Sequence, residues 1–147
     1  MEYSDVIGSQ FTWIACDKNG HIGAFNIAGN GKVPQQVFYP KDEFLHEVED
    51  FIFESKLICE TIKCHPIYFD KEFADISRRG IFCYDWTCIY HTNEGDAYEK
   101  ICEPTAPITI QALSQHLQSY INTICFSTLE FYSSNKIDVN IHFDIAK

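Results

Sequence analysis

Apolar residues follow a strand-like pattern near the start of the chain. Residues 10–16 are rich in aromatic and β-branched side chains, and residues 21–28 form a second apolar run. Between them lies Asp17-Lys18-Asn19-Gly20, which has the composition of a tight turn. Two such runs joined by turn residues predict an antiparallel β-hairpin. The glycines of residues 29–31 and Pro34 then end it.

A helical spacing replaces the strand pattern in the next segment. Apolar residues recur at intervals of three and four, which places them on one helical face: Phe44, Leu45, Val48, Phe51 and Ile52. Pro40 precedes this run, and Asp42 and Glu43 would lie in the first turn, where carboxylates favour the helix dipole. The pattern predicts a helix over about residues 41–55.

The middle of the chain predicts a short helix followed by a second hairpin. Residues 70–78 read as the helix, with Gly80 ending it. Residues 81–90 are strand-like, residues 91–96 are polar, and residues 97–103 form the returning strand. This hairpin would be antiparallel, like the first.

The last third of the chain predicts one more helix and one more strand. Residues 109–124 carry an apolar helical stripe, and residues 129–132 are a candidate partner for the final strand. That strand is predicted from strict alternation: Ile137, Val139, Ile141, Phe143 and Ile145. The expected fold is therefore a single α+β domain over residues 1–147, with antiparallel hairpins forming a sheet and two or three helices packed on it.

Composition excludes several classes of protein. Hydrophobic residues make up 46% of the chain and aromatic residues 15%, which is far too apolar for a disordered chain. The first residues have neither the basic region nor the apolar run of a signal peptide, and no stretch is long enough to span a membrane. Seven cysteines, an odd number, without an export signal favour reduced thiols and a cytoplasmic location.

The charge of the chain points to the kind of partner. There are 21 acidic residues against 11 Lys and Arg, a formal net charge of −10. Nucleic acids and anionic membranes would be repelled by this field, whereas a basic protein would be attracted. The acids concentrate on the predicted helix, where Glu43, Glu47, Asp50 and Glu54 fall in a band roughly 60° wide, clear of the apolar face. This band is either a solvated surface or the binding site of a basic partner.

The sequence does not predict a metal site. Five potential ligands cluster within the middle of the chain: Cys59, Cys64, His65, Cys83 and Cys88. Four residues separate the cysteines of each pair, the upper limit for a zinc knuckle. Cys83 and Cys88 would also point to opposite faces of a strand. The thiols are therefore expected to pack as small apolar residues, with no metal or cofactor.

No catalytic residue is predicted either. The Cys64-His65 pair lies in no recognisable nucleophile signature, and residues 29–32 lack the spacing of a phosphate-binding loop. Asp85 stands out because it interrupts an apolar strand. A buried carboxylate needs a partner, such as Arg78 or Arg79, or else it takes up a proton. Structural pairing or simple surface exposure of Asp85 is favoured over a catalytic role.

The two hairpins carry a family resemblance. Phe11-Thr12-Trp13-Ile14-Ala15-Cys16-Asp17-Lys18-Asn19-Gly20-His21-Ile22-Gly23-Ala24-Phe25, followed by Gly29-Asn30-Gly31 and Pro34, resembles the opening of bacterial immunity-type proteins of polymorphic toxin systems. The segment Arg79-Gly80-Ile81-Phe82-Cys83-Tyr84-Asp85-Trp86, then Tyr98, Pro104 and Pro107, adds to the resemblance. Together they cover about two thirds of the chain.

The resemblance implies a non-catalytic protein that neutralises a cognate secreted toxin by forming a stoichiometric complex. Its shared residues, such as Trp13, His21 and Trp86, would be scaffold, and toxin contacts would lie on the remaining surface, including the acidic helix. Two alternatives stay open. One is an intracellular adaptor or structural domain, and the other, less favoured, is a metal-binding protein or enzyme that uses the Cys and His residues.

Overall fold

The computed structural model describes residues 1–66, 69–86 and 97–147. Within these ranges the chain forms a seven-stranded sheet and four α-helices, which confirms the predicted α+β fold. The helices are α1 Tyr3–Val6, α2 Asp42–Glu54, α3 Lys71–Ser77 and α4 Gln115–Asn122. The strands are β1 Thr12–Asp17, β2 Ile22–Asn26, β3 Thr61–Lys63, β4 Phe82–Trp86, β5 Tyr98–Pro104, β6 Cys125–Phe126 and β7 Lys136–Ile137.

Both predicted hairpins are present, but the sheet that joins them is mixed. The strand order is β3-β5-β4-β2-β1-β6, with β7 also pairing with β5. The pairs β1–β2 and β4–β5 are antiparallel as predicted. The two hairpins meet through a parallel pairing of β2 with β4, and β6 adds to β1 in parallel. The predicted turn at residues 91–96 and Cys88 lie outside the described residues.

The turn of the first hairpin is organised by Asp17, as its sequence predicts. The Asp17 carboxylate accepts hydrogen bonds from the backbone N–H groups of Asn19 (2.9 Å) and His21 (3.0 Å), and Gly20 has a positive φ of 78°. The second carboxylate oxygen accepts a bond from the N–H of Phe131, 2.8 Å away. One buried side chain therefore closes the local turn and also fixes a distant loop against it.

An aromatic stack forms the centre of the core on one face of the sheet. The ring of Phe25 lies 4.3 Å from that of Trp13 and 4.9 Å from that of Tyr84, and both pairs are nearly parallel. Tyr98 meets Trp13 edge-on, accepts a hydrogen bond from its indole N–H, and donates to the carbonyl of Lys32. Each such ring buries about 150–250 Å², so the stack dominates the apolar burial of the hairpins.

The short helix α3 is bounded by the predicted signals. The Asp70 side chain caps its start by accepting a bond from the N–H of Phe73, and Gly80 follows its end with a φ of +87°. A Cβ atom on Gly80 would lie 2.9 Å from the backbone nitrogen of Ile108. Glycine is therefore required at position 80 for two reasons: the backbone is left-handed there, and the backbone of Ile108 lies too close for a side chain.

The helix predicted over residues 109–124 is shorter in the structure. Residues Ile110–Ala112 form a separate 3₁₀ turn because Thr109 makes a bridge with His21, which fixes the chain in an extended conformation there. α4 then starts anew after Ser114, whose hydroxyl accepts a bond from the N–H of Leu117. The predicted stripe of apolar residues is present, but the Ser114 cap divides it between the 3₁₀ turn and α4.

The predicted strand over residues 137–145 is wrong. Only Lys136–Ile137 pair with β5, and Val139–Ile141 form a 3₁₀ turn. The Asp138 side chain accepts a bond from the N–H of Asn140, which favours a turn over an extended chain. Ile141 is consequently 76% exposed. The proposed partner segment, residues 129–132, is also not a strand, and it supplies the buried ring of Phe131 instead.

Candidate functional site

The acidic helix predicted from the sequence is present as α2. It buries Leu45, Val48 and Ile52, whose exposed fractions are 8%, 5% and 1%. Burying an aliphatic side chain of this size stabilises the fold by about 1.5–3 kcal/mol. Packing therefore holds this helix firmly in place, with the opposite face directed at solvent.

The structure places all four predicted partner-binding residues on that outer face. Glu43, Glu47, Asp50 and Glu54 are exposed, and none of them makes an ion pair with the residues that the structure describes. We call these four residues the acidic crest. Like charges spaced three or four residues apart cost about 0.2–0.5 kcal/mol per pair, which the apolar face of α2 outweighs.

Other acidic residues of the protein form ion pairs with Lys or Arg side chains. The carboxylate of Asp75 lies 2.6 Å from Nζ of Lys71 and 3.2 Å from Nη1 of Arg78. Glu103 lies 2.9 Å from Nζ of Lys100. The acidic crest differs from these sites because its negative charge is left uncompensated, and it is held on a rigid helix.

A cavity of about 180 Å³ lies beside the crest, between α2 and the start of β1. Its interior is mainly apolar and aromatic, and Asp42, His46 and Glu49 line it from α2. We call this space the α2 cavity. The hydroxyl of Tyr120 donates a 3.0 Å hydrogen bond to the carbonyl of Val37, which ties two of its lining residues together.

An open groove lies on the other flank of α2. It is lined by Tyr39, Pro40, Phe44, His116 and Tyr120, and Tyr39 is 69% exposed. Neither the groove nor the α2 cavity was predicted from the sequence. A weak signal for the cavity exists in hindsight, since Asp42, His46, Glu49 and Phe53 follow one another at helical intervals on a single side of α2.

The described cysteines and His65 that suggested a zinc site do not converge on one point. Cys83 is buried, with its sulfur 3.4 Å from the carbonyl oxygen of Phe73. Cys59 and Cys64 are half-buried, and His65 bonds to the carboxylate of Glu99 at 2.9 Å. In the described ranges, no group of three or more His, Cys, Asp or Glu residues is placed to hold a metal ion.

Asp85 is buried, but not beside the arginines proposed for it. Arg79 donates to the backbone carbonyls of Phe53 and Ser55. Arg78 lies against Asp75 and, more distantly, Glu60. Asp85 itself is only 4% exposed, and burial raises the pKa of its carboxyl to about 7. The proposed pairing with Arg78 or Arg79 is therefore not observed, and a pKa of about 7 means that the carboxyl holds a proton mainly below neutral pH.

No helix in the described part of the chain has both the length and the hydropathy to cross a membrane. No protein family, curated protein or solved structure matches the chain.

Proposed function

We propose that this protein is a non-catalytic binding protein that neutralises a basic bacterial toxin by forming a stoichiometric complex with it. The observation that carries the proposal is the acidic crest: four exposed carboxylates without ion-pair partners in the described chain, on a helix fixed by its buried face. The complex would form in the cytoplasm of the producing cell or of a neighbouring cell. No cofactor takes part.

The crest suits the recognition of a cationic surface for two physical reasons. Its carboxylates would attract a basic partner over a distance of about 10 Å at moderate salt, which raises the association rate. Its backbone is already ordered by the packing of Leu45, Val48 and Ile52, so little conformational entropy is lost on binding.

The hairpin resemblance supports a toxin as the class of partner. Several residues that carry it are core residues: Trp13, Phe25 and Trp86 are 1%, 0% and 2% exposed. These residues would form the scaffold shared with immunity-type proteins. Surface residues such as those of the acidic crest would contact the partner and determine which partner binds. An adaptor domain would share this scaffold and crest, and only the identity of the partner separates it from a toxin inhibitor.

Co-expression tests the toxin assignment. The toxin encoded by the neighbouring gene should arrest growth when it is expressed alone, and expression of this protein should restore growth. The purified proteins should form a complex of fixed stoichiometry. If no neighbouring gene product is toxic or binds this protein, the toxin assignment fails and an adaptor role is favoured.

A charge-reversal pair tests the role of the crest. Glu43→Lys with Glu47→Lys should slow association with the toxin about tenfold at low ionic strength, because both substitutions reverse the local field. The matched control is Glu72→Lys with Asp144→Lys, two exposed acids outside α2, which changes the net charge by the same amount. Equal association rates for the two variants in stopped-flow measurements would show that the crest is not part of the binding surface.

A further inference from the structure

The α2 cavity has the size of a single side chain. Its volume of about 180 Å³ is close to that of an engineered protein cavity of about 150 Å³ that holds benzene. Aromatic side chains contribute much of its lining: Phe11, Trp13, Phe53 and Tyr120. Such surroundings favour an apolar or planar group over a strongly hydrated one.

The charges of the cavity lining leave one negative charge without a partner. Asp42 and Glu49 each supply a carboxylate, and the Met1 ammonium lies 2.9 Å from Asp42. Glu49 is exposed and makes no ion pair with the residues that the structure describes. His46 also lines the cavity, and one additional cation would balance the charges of Met1, Asp42 and Glu49.

We propose that the α2 cavity takes an arginine side chain from the protein partner. The methylene groups would pack between Phe11, Leu45 and Phe53, and the guanidinium would pair with the Glu49 carboxylate. Arginine fits better than lysine because its planar, weakly hydrated cation stacks on aromatic rings and bonds a carboxylate with two parallel N–H groups. This inference rests on the proposed function, since it names the group by which a basic partner is anchored.

The cavity and the crest would then affect different rate constants of binding. Charges on the crest act mainly on the rate of encounter, whereas a side chain whose methylene groups pack inside the cavity acts mainly on the rate of dissociation. The two sites lie on adjacent sides of α2, so one partner surface can reach both. A single arginine in the cavity would also fix the register of the partner along the helix.

A model compound tests the cavity without any toxin. N-acetyl-arginine methylamide should shift the backbone amide signals of Phe11, Leu45 and Glu49 in ¹⁵N-HSQC spectra, with a dissociation constant in the low millimolar range. The isosteric but uncharged N-acetyl-citrulline methylamide should bind at least fivefold more weakly. Glu49→Gln should abolish this difference, and Glu43→Gln, on the outer face, should preserve it. Equal binding of both compounds, or no shift at the cavity, would overturn the proposal.

The toxin complex provides a second measurement. Glu49→Gln should raise the dissociation rate about tenfold and slow association less than Glu43→Lys with Glu47→Lys does. An unchanged dissociation rate would refute the arginine anchor while leaving toxin neutralisation intact. Failure of the growth rescue would refute neutralisation, whereas the titration with the arginine compound would still report on the cavity.

Discussion

Replacing Asp85 with asparagine should stabilise the protein at alkaline pH. Asp85 lies in β4 and is 4% exposed, and the pKa of its carboxyl is raised to about 7 because burial disfavours the charged form. Asparagine has nearly the same shape and carries no charge at any pH. The substitution therefore removes the cost of ionising a buried carboxyl and leaves the packing of β4 largely unchanged.

The sign and size of the effect follow from linkage. A carboxyl whose pKa is higher in the folded state than in the unfolded state, where it is about 3.9, favours folding through its bound proton. That contribution is complete below pH 3.9 and is lost as the pH rises through 7. A displacement of about 3 pKa units corresponds to about 4 kcal/mol, since each unit is worth 1.36 kcal/mol.

Urea unfolding at several pH values measures this contribution. The free energy of unfolding of the wild type should carry a decline of about 4 kcal/mol between pH 4 and pH 8 that Asp85→Asn lacks. The variant should match the wild type near pH 4 and exceed it at pH 8. Asp50→Asn, at an exposed position of the acidic crest, is the control and should leave the pH dependence of the wild type nearly unchanged.

Two results would refute this reasoning. If Asp85→Asn and the wild type showed parallel pH profiles, the Asp85 carboxyl would not be the group that titrates. If the variant were less stable at pH 8, the ionised carboxylate would be receiving favourable interactions that outweigh its burial. A direct NMR titration of the Asp85 side-chain carbon should show a midpoint near 7.

Two further substitutions test the packing of the fold. Lys100→Met should cost about 3–5 kcal/mol of stability, because it removes the ammonium that lies 2.9 Å from the partly buried Glu103 carboxylate and that donates to the carbonyls of Phe131 and Tyr132 at 2.8 and 3.0 Å; a loss under 1 kcal/mol in urea unfolding would contradict this. Gly31→Ala should cost about 1–3 kcal/mol, because its Cβ would lie 2.9 Å from Cα of Ile27, and an unchanged thermal midpoint would show that the chain relaxes there freely.

The elements that could be predicted from the sequence are those fixed by local contacts. The first hairpin follows from its alternation and from Asp17, which bonds N–H groups only two and four residues away. The helix α2 follows from its 3.6-residue spacing. The strand predicted from the alternating residues 137–145 is wrong because the Asp138 side chain accepts a hydrogen bond from the N–H of Asn140, which turns the chain. The spacing of apolar residues carries no information about such a local hydrogen bond.

The parallel pairing of β2 with β4 could not be foreseen, because it joins segments far apart in the chain. The same distinction applies to the candidate site. The outward position of the acidic crest follows from the apolar stripe on the opposite side of one helix, so Glu43, Glu47, Asp50 and Glu54 could be placed in advance. The α2 cavity is assembled from separate elements, including Phe11 before β1 and Tyr120 in α4, and its existence depends on how they meet.

The pairing of β6 with β1 also has a consequence for how the protein is made. Cys125, in β6, is 108 residues later in the chain than Asp17, at the end of β1. While the ribosome is still adding those residues, the end of β1 at Cys16 and Asp17, which is buried in the folded protein, lacks its β6 neighbour. The nascent chain therefore emerges with an apolar, pairing-competent edge, and a chaperone that shields it would be expected to raise the yield of native protein.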